Sequence, residues 1–146
     1  FQAEDGIRDY KVTGVQTFAL PIYKTNKTFM NDRHVFDIHN LEFLPFDRYG
    51  APVPKMSWHI ISYNQKNGQG SYVLKMEPGA QTVPHMHMGF EEFLMIEGEL
   101  IDSDGTVFKK GEFVSFEPGS QHSSFSETGA LIVVFQRGLN EAINHD

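Results

Sequence analysis

The sequence predicts an all-β chain, a sandwich or barrel of short strands with little helix. Three observations carry that prediction. Apolar and β-branched residues alternate with polar ones over short runs, and nearly every run stops at a turn drawn from 13 Gly and 7 Pro. Helical periodicity is almost absent, and strands at regular spacing are the signature of a sandwich or barrel. The length of 146 residues is that of one domain able to bury a core without staples, and no cysteine is present to supply any.

Residues 1–22 are set apart. Phe1-Gln2-Ala3-Glu4-Asp5-Gly6 through Leu20-Pro21-Ile22 resembles the translation of a sequencing-adapter read found at the ends of reading frames assembled from environmental DNA, with Phe18 where that translation usually has Cys. Such a segment was not shaped for this protein and is excluded from fold reasoning. The resemblance implies a metagenomic fragment whose domain runs over 23–146 and whose natural start is missing or later, Met30 being one option. The competing reading is a natural arm lent to a neighbouring subunit. The default location is cytoplasmic, with secretion left open by the uncertain start.

In 23–54, Val35-Phe36-Asp37-Ile38 alternates like a short strand, and Leu41 to Phe46 is apolar but interrupted by Pro45. His34 and His39 fall outside any ligand spacing and are assigned no chemistry. Lys55 to Tyr63 reads as a strand, Asn67-Gly68 as a turn, and Gly70 to Glu77 as the returning partner. Alternation sends Tyr72, Leu74 and Met76 inward, joined by Trp58 and Ile60, and leaves Ser71, Val73, Lys75 and Glu77 outside. Trp58 and Tyr72 serve equally well as core filling or as a pocket wall. The outer parity of the first strand, with His59, Ile61 and Tyr63, is too apolar for a solvated edge; a two-fold homodimer packing the outer faces of equivalent sheets is expected.

His85 and His87, one residue apart, lie on one face of a strand, and Glu91 follows a short turn at Met88-Gly89. After Gly98, Asp102 to Thr106 is a hairpin with Asp-Gly at its tip, Lys109-Lys110-Gly111 a turn and Glu112 to Phe116 a strand. Pro118-Gly119 then delivers His122 onto the next strand, Ala130 to Phe135 is a buried closing strand, and a helical turn is expected from Gly138 onward. Phe93 and Met95 share the parity of Glu91 and are placed beside the site, with Phe135 or Val133 opposite. An apolar pocket of that kind suits a small, partly apolar substrate.

Three imidazoles and a carboxylate suit a divalent first-row metal with open positions and lack the thiolates of a structural zinc site. Met86 and Met88 interleave with the ligands, but period two turns Met86 away, so packing is preferred to a thioether copper site. Glu92 competes with Glu91 for the carboxylate position.

These residues resemble the cupin superfamily. Its first motif places Gly, five residues, His-x-His, three or four residues, Glu, six residues and Gly, a spacing met by Gly79, His85, His87, Glu91 and Gly98. The motif's spacing to Gly98 picks Glu91, and alternation then turns Glu92 outward. Gly111, Gly119 and His122 fit the second motif, while Pro118 stands directly before Gly119 and Ser126 replaces the motif's Asn. The stretch 52–136 is similar to the small cupin branch that includes ChrR-type anti-sigma factors and several ring- or diketone-cleaving dioxygenases. The resemblance implies a jelly-roll barrel and one divalent metal per chain on His85, His87, Glu91 and His122. Iron ranks first, ahead of copper, manganese, nickel and zinc.

The net charge of −7 and the absence of a basic stripe argue against nucleic acid as a partner, and no apolar run reaches membrane-spanning length. Three function classes remain. The preferred one is a dioxygenase-type oxidoreductase acting with O2 on a small oxygen-bearing organic or carbohydrate substrate, with no catalytic residue beyond the metal ligands. The others are a metal-binding sensor or regulatory module, and a metal-dependent lyase or isomerase using the same ligands.

Overall fold

The computed structural model describes residues 32–143, so the adapter-like segment lies outside the described residues. Among these residues the chain is built from strands, joined by turns and one 3-10 turn at Ile38–Asn40. It is a curled jelly-roll sheet. The strands are β1 (Leu44–Pro45), β2 (Met56–Ile60), β3 (Gln69–Met76), β4 (Ala80–Gln81), β5 (His85–His87) and β6 (Glu91–Asp102). They continue as β7 (Val107–Lys109), β8 (Phe113–Phe116), β9 (Gln121–His122), β10 (Ser124–Ser126), β11 (Ala130–Arg137) and β12 (Asn140–Ala142).

The larger sheet runs β1-β2-β3-β11-β6-β10-β4, with β7 and β8 also on β6; a small sheet runs β12-β5-β9. All pairings are antiparallel, and β11 at the centre binds β3 from Ala130↔Met76 to Arg137↔Gln69. Strand β6 belongs to two parts of the sheet, pairing with β8 and β11 up to Gly98 and with β7 and β10 from Glu99 onward. Gly98 makes that change of partners feasible. It has φ 72°, and a Cβ there would run into the Gly129 carbonyl, so only glycine fits without moving backbone.

Two apolar layers result. The inner one joins Phe46, Trp58, Tyr72, Met76, Phe93 and Met95 with Ile132 and Val134 of β11. The outer one covers Val73, Leu131 and Val133 with Ile38, Leu41, Phe43, Ile61 and Ile96. Val73 was expected outside; it does face outward, but the segment before the barrel folds over it and leaves it 0% exposed.

Other expectations are corrected. Residues 35–38 form no strand, because the chain turns at Ile38–Asn40, where Asp37 accepts from the His39 amide. Strand β2 is not an edge, since Leu44↔Trp58 and Pro45↔Ser57 pair it with β1. It ends at Ile60, after which the Ile61, Ser62 and Tyr63 amides all reach the Ser71 carbonyl. That local crowding breaks the alternation, so Ile60 is exposed and Tyr63 turns inward to 7% exposure. The tail beyond Gly138 is strand β12, with Asn140 opposite His87, rather than a helical turn.

Candidate metal centre

The small sheet brings the histidines together. His85 and His87 lie on one face of β5, and His85 is in register with His122 of β9. Before β9 the chain turns at Gly119, where φ is 87° and the amide donates to the His87 carbonyl at 2.7 Å; a left-handed residue fixes where His122 begins. Glu91 opens β6. One donor atom from each of His85, His87, Glu91 and His122 lies within 4.8 Å of every other, and all four residues are buried.

The hydrogen bonds around the rings determine which nitrogens are free. His85 Nδ1 donates to the Val83 carbonyl at 2.7 Å, and His122 Nδ1 donates to Asp102 Oδ1 at 3.0 Å. Ser120 Oγ already donates to the Glu117 carbonyl at 2.5 Å, so at 2.9 Å it accepts from His87 Nδ1. Each ring therefore carries its proton on Nδ1 and turns the Nε2 lone pair toward the centre. Burial lowers the pKa of His85 to about 4 and also lowers that of His122, which favours the neutral, ligating form.

This arrangement fits a divalent cation. The Nε2 atoms of His85 and His87 are 3.1 Å apart with neither able to donate to the other, which places lone pair against lone pair. The distance is close to that between adjacent ligands each about 2.1 Å from a shared ion. His122 Nε2 is buried without a hydrogen-bond partner. Glu91 Oε1 faces His87 Nε2 at 3.6 Å and His122 Nε2 at 3.9 Å. The donor set of three imidazoles and one carboxylate can thus hold a divalent metal ion.

The other carboxylate oxygen is held from behind. Glu91 Oε2 accepts from Asn140 Nδ2 at 2.6 Å and from Gln136 Nε2, with Arg48 Nη1 at 4.0 Å. Burial by itself would raise the Glu91 pKa. The Arg48 guanidinium and the amide donors of Gln136 and Asn140 oppose it, and the carboxyl is held below its usual range. Glu92 points the other way and pairs with Arg137 at 2.7 Å. Met86 likewise faces off the site, its sulfur accepting from Gln121 Nε2 at 3.7 Å. Ser126, standing where the second motif has Asn, donates to the Glu99 carbonyl at 2.7 Å.

A cavity of about 40 Å³ adjoins the centre, with His85, Glu91 and His122 in its wall. Roughly 10–15 Å³ of such space holds one water, so the cavity has room for a few water-sized groups. Its apolar end includes Leu74, Phe93, Ile132 and Val134, and its polar end includes Arg48, Tyr49, Thr82 and Asn140. Burial raises the Tyr49 phenol to about 12, so it keeps its proton as a donor.

Of the pocket residues expected from sequence, Tyr72 and Phe93 line this cavity. Trp58 lies in the core behind it, edge-on to Tyr72 with ring centroids 5.4 Å apart, and Met95 is likewise core. Phe135 is misplaced by the sequence reading. It stands on the outer face, 39% exposed beside Phe113, and its neighbours Val134 and Gln136 turn inward instead.

Several functional residues escaped the sequence reading, namely Asp102, Ser120, Arg48, Gln136 and Asn140. Asp102 and Ser120 lay inside turns already recognised, where a polar residue looks unremarkable. A polar Gln closing an apolar strand was the available signal for Gln136. His34 and His39 remain outside the centre; His39 lies 3.4 Å from Glu97 on the surface.

Residues 31–140 match the model of the ChrR cupin-like domain. The chain belongs to the ChrR cupin-like family. Solved structures agree on the fold. A protein of Methylibium petroleiphilum PM1 assigned as an acetylacetone dioxygenase superposes with a TM-score of 0.64 at 11% identity, over 77% of this chain and 81% of that one. An acetylacetone dioxygenase from Acinetobacter johnsonii gives 0.59 at 14% identity, over 80% and 84%. The anti-sigma factor ChrR of Rhodobacter sphaeroides, in complex with SigE, gives 0.55 at 14% identity, over 69% of this chain and 51% of that one. No curated protein matches the sequence. Among the described residues no helix is long and apolar enough to cross a membrane.

Proposed function

We propose that this ChrR cupin-like protein is a metal-dependent oxidoreductase of the dioxygenase type, with His85, His87, Glu91 and His122 holding one divalent ion per chain, iron first among the candidates. The observation that carries the reading is the convergence of three Nε2 lone pairs and Glu91 Oε1, with His85, Glu91 and His122 in the wall of a cavity. A purely structural site would be closed on all sides. When bound, the ion would polarise a substrate oxygen and, if redox-active, exchange electrons with O2.

The chain's own groups do the rest. Val83, Ser120 and Asp102 fix the imidazole tautomers, and Asn140 and Gln136 aim one Glu91 oxygen at the centre by holding the other. The apolar end of the cavity excludes water, while Tyr49 and Arg48 present donors to a small oxygen-bearing substrate. The two acetylacetone dioxygenase likenesses support this reading by analogy of fold. The test is metal analysis followed by oxygen uptake on a panel of diketones, phenols and sugars. At least one substrate should drive metal-dependent oxygen consumption; none doing so on fully loaded protein rejects the reading.

The family match favours a second reading, a metal-binding sensor module like the ChrR likeness, in which metal binding alters a contact with a protein partner. Oxygen consumption with any substrate on that panel decides against it.

We also propose that residues 23–146 are the domain and that it pairs as a two-fold homodimer through the outer sheet faces. Exposed Phe113 and Phe135 on that face now support the pairing in place of the edge argument for β2. A chain beginning at Tyr23 should bind metal normally and sediment as a dimer at micromolar concentration. A monomer mass refutes the pairing, and loss of folding refutes the boundary.

A further inference from the structure

Strand β12 does two things for the metal centre. It carries Asn140, which holds Glu91 Oε2, and it lies beside the ligand strand, with Asn140 opposite His87 and Ala142 opposite His85. A strand of three residues takes its place from what it packs on rather than from its own propensity. The residues just before it supply that support. The Gly138 amide donates to the Gly68 carbonyl at 3.1 Å, the Arg137 amide to the Phe90 carbonyl at 2.9 Å, and the Met88 amide to the Leu139 carbonyl at 2.9 Å. Gly138 thus sits between Gly68, in the hairpin that joins β2 to β3, and Gly89, in the turn that joins β5 to β6.

The junction leaves no room for a side chain. A Cβ on Gly68 would run into the Gly138 carbonyl group and the Leu139 nitrogen, and one on Gly89 into the Arg137 carbonyl. One on Gly138 would lie 2.7 Å from the Gly89 nitrogen. The obstacles are backbone, so a side chain at Gly68 must displace one of the two segments. They are unequally braced. In the hairpin the Asn64 amide donates to the Gln69 carbonyl at 2.8 Å and the Gly68 amide to the Asn64 carbonyl at 2.9 Å, while the Asn64 and Asn67 side chains accept from the Lys66 and Gln69 amides. Gln69 then runs on into the long ladder of β3 with β11. The displacement falls on residues 138–139, and Asn140 is the next residue.

We infer that Gly68 is a positioning residue for the metal centre: its backbone contact with Gly138 sets Asn140, and through it the orientation of Glu91. Residues 64–69 include no metal ligand and line no part of the cavity beside the centre, and 64–67 are exposed. A surface hairpin is thereby coupled to metal occupancy, and the coupling runs both ways. This rests on the metal ligands of the function proposed above and is independent of the chemistry proposed there.

The experiment is zinc affinity by competition with a chelator, on the wild-type protein, Gly68→Ala, Asn140→Ala and the double variant. Gly68→Ala should weaken zinc about 2–10-fold, the net worth of one hydrogen bond. In the Asn140→Ala background the same substitution should cost nothing further. Gly111→Ala is the control. Gly111 has a left-handed backbone like that of Gly68, with φ 87° against 68°, but nothing lies within 4 Å of an added Cβ, and the variant should keep wild-type affinity. Unchanged affinity in Gly68→Ala overturns the inference, as does a loss that persists without Asn140 or one that Gly111→Ala shares. In wild-type protein labelled with nitrogen-15, zinc should move the amide resonance of Gly68 and leave that of Gly111 in place. An unmoved Gly68 overturns the inference even where a variant fails to fold. Any of these failures in a wild-type chain that binds one zinc ion leaves the ligand assignment standing, whereas a wild-type chain that binds no zinc rejects both.

Discussion

The histidines of the metal centre and its carboxylate are supported in different ways. Every anchor of an imidazole lies between Val83 and His122, the stretch that also carries the ligands. The anchors of Glu91 are Arg48, Gln136 and Asn140, which come from before and after that stretch. One half of the centre is thus written in local turns, and the other depends on the register of a long ladder. The difference teaches where the site is robust. Each imidazole proton has a single partner, whereas Glu91 Oε2 has two hydrogen bonds and a nearby cation.

The largest expected effect breaks the histidine half outright. His87→Ala removes the ligand that faces both His85 Nε2 and Glu91 Oε1, and metal should fall from one ion per chain to essentially none. Elemental analysis after gel filtration reads this directly. Glu92→Ala, which removes only a partner of Arg137, should retain full metal. Full retention by His87→Ala would sink the ligand assignment.

The next effect tests the ladder. Glu91↔Gln136 and Phe93↔Val134 are neighbouring pairs of β6 and β11, so the parity that buries Phe93 also delivers Gln136 to the carboxylate. Phe93→Ala should cost about 3–5 kcal/mol in urea unfolding, as for a buried aromatic. Phe135→Ser, on the opposite parity, should keep its metal at one ion per chain. A reversal of these outcomes would mean that β11 is turned over.

That parity was the hardest feature to read from the sequence. Ala130-Leu131-Ile132-Val133-Val134-Phe135 is apolar without a break, and alternation has nothing to alternate with when both faces of a strand are covered. The outer face is covered by Ile38, Leu41 and Phe43, a packing contact made by residues far away in the chain. Tyr63 was misassigned for a related reason, because three successive amides share the Ser71 carbonyl and no residue type announces it. The ligands were legible because Gly79 and Gly119 fix turns and Gly98 fixes the change of partners within β6, and such backbone requirements are local. Asn140 was not, since a three-residue strand at the end of the chain owes its existence to β5 rather than to its own propensity.

A smaller effect separates the two kinds of anchor. Asp102→Ala strips His122 Nδ1 of its acceptor and should weaken metal binding about 10–100-fold in competition with a chelator. Retained affinity would show that β9 alone orients the ring.

The smallest effect is the one that defines the carboxylate half. Gln136→Ala and Asn140→Ala each leave Glu91 Oε2 with the other amide, so either variant alone should weaken metal binding less than Asp102→Ala does. The double variant leaves the buried oxygen facing only Arg48 at 4.0 Å, beyond hydrogen-bond distance. Its loss should exceed the sum of the single losses by about 0.5–3 kcal/mol, the coupling usual for residues in one hydrogen-bond network. The same chelator competition on all four proteins supplies the cycle. Strict additivity would mean that the two amides act independently, and the contrast between singly and doubly anchored ligands would fail at its weaker half while the histidine half stood.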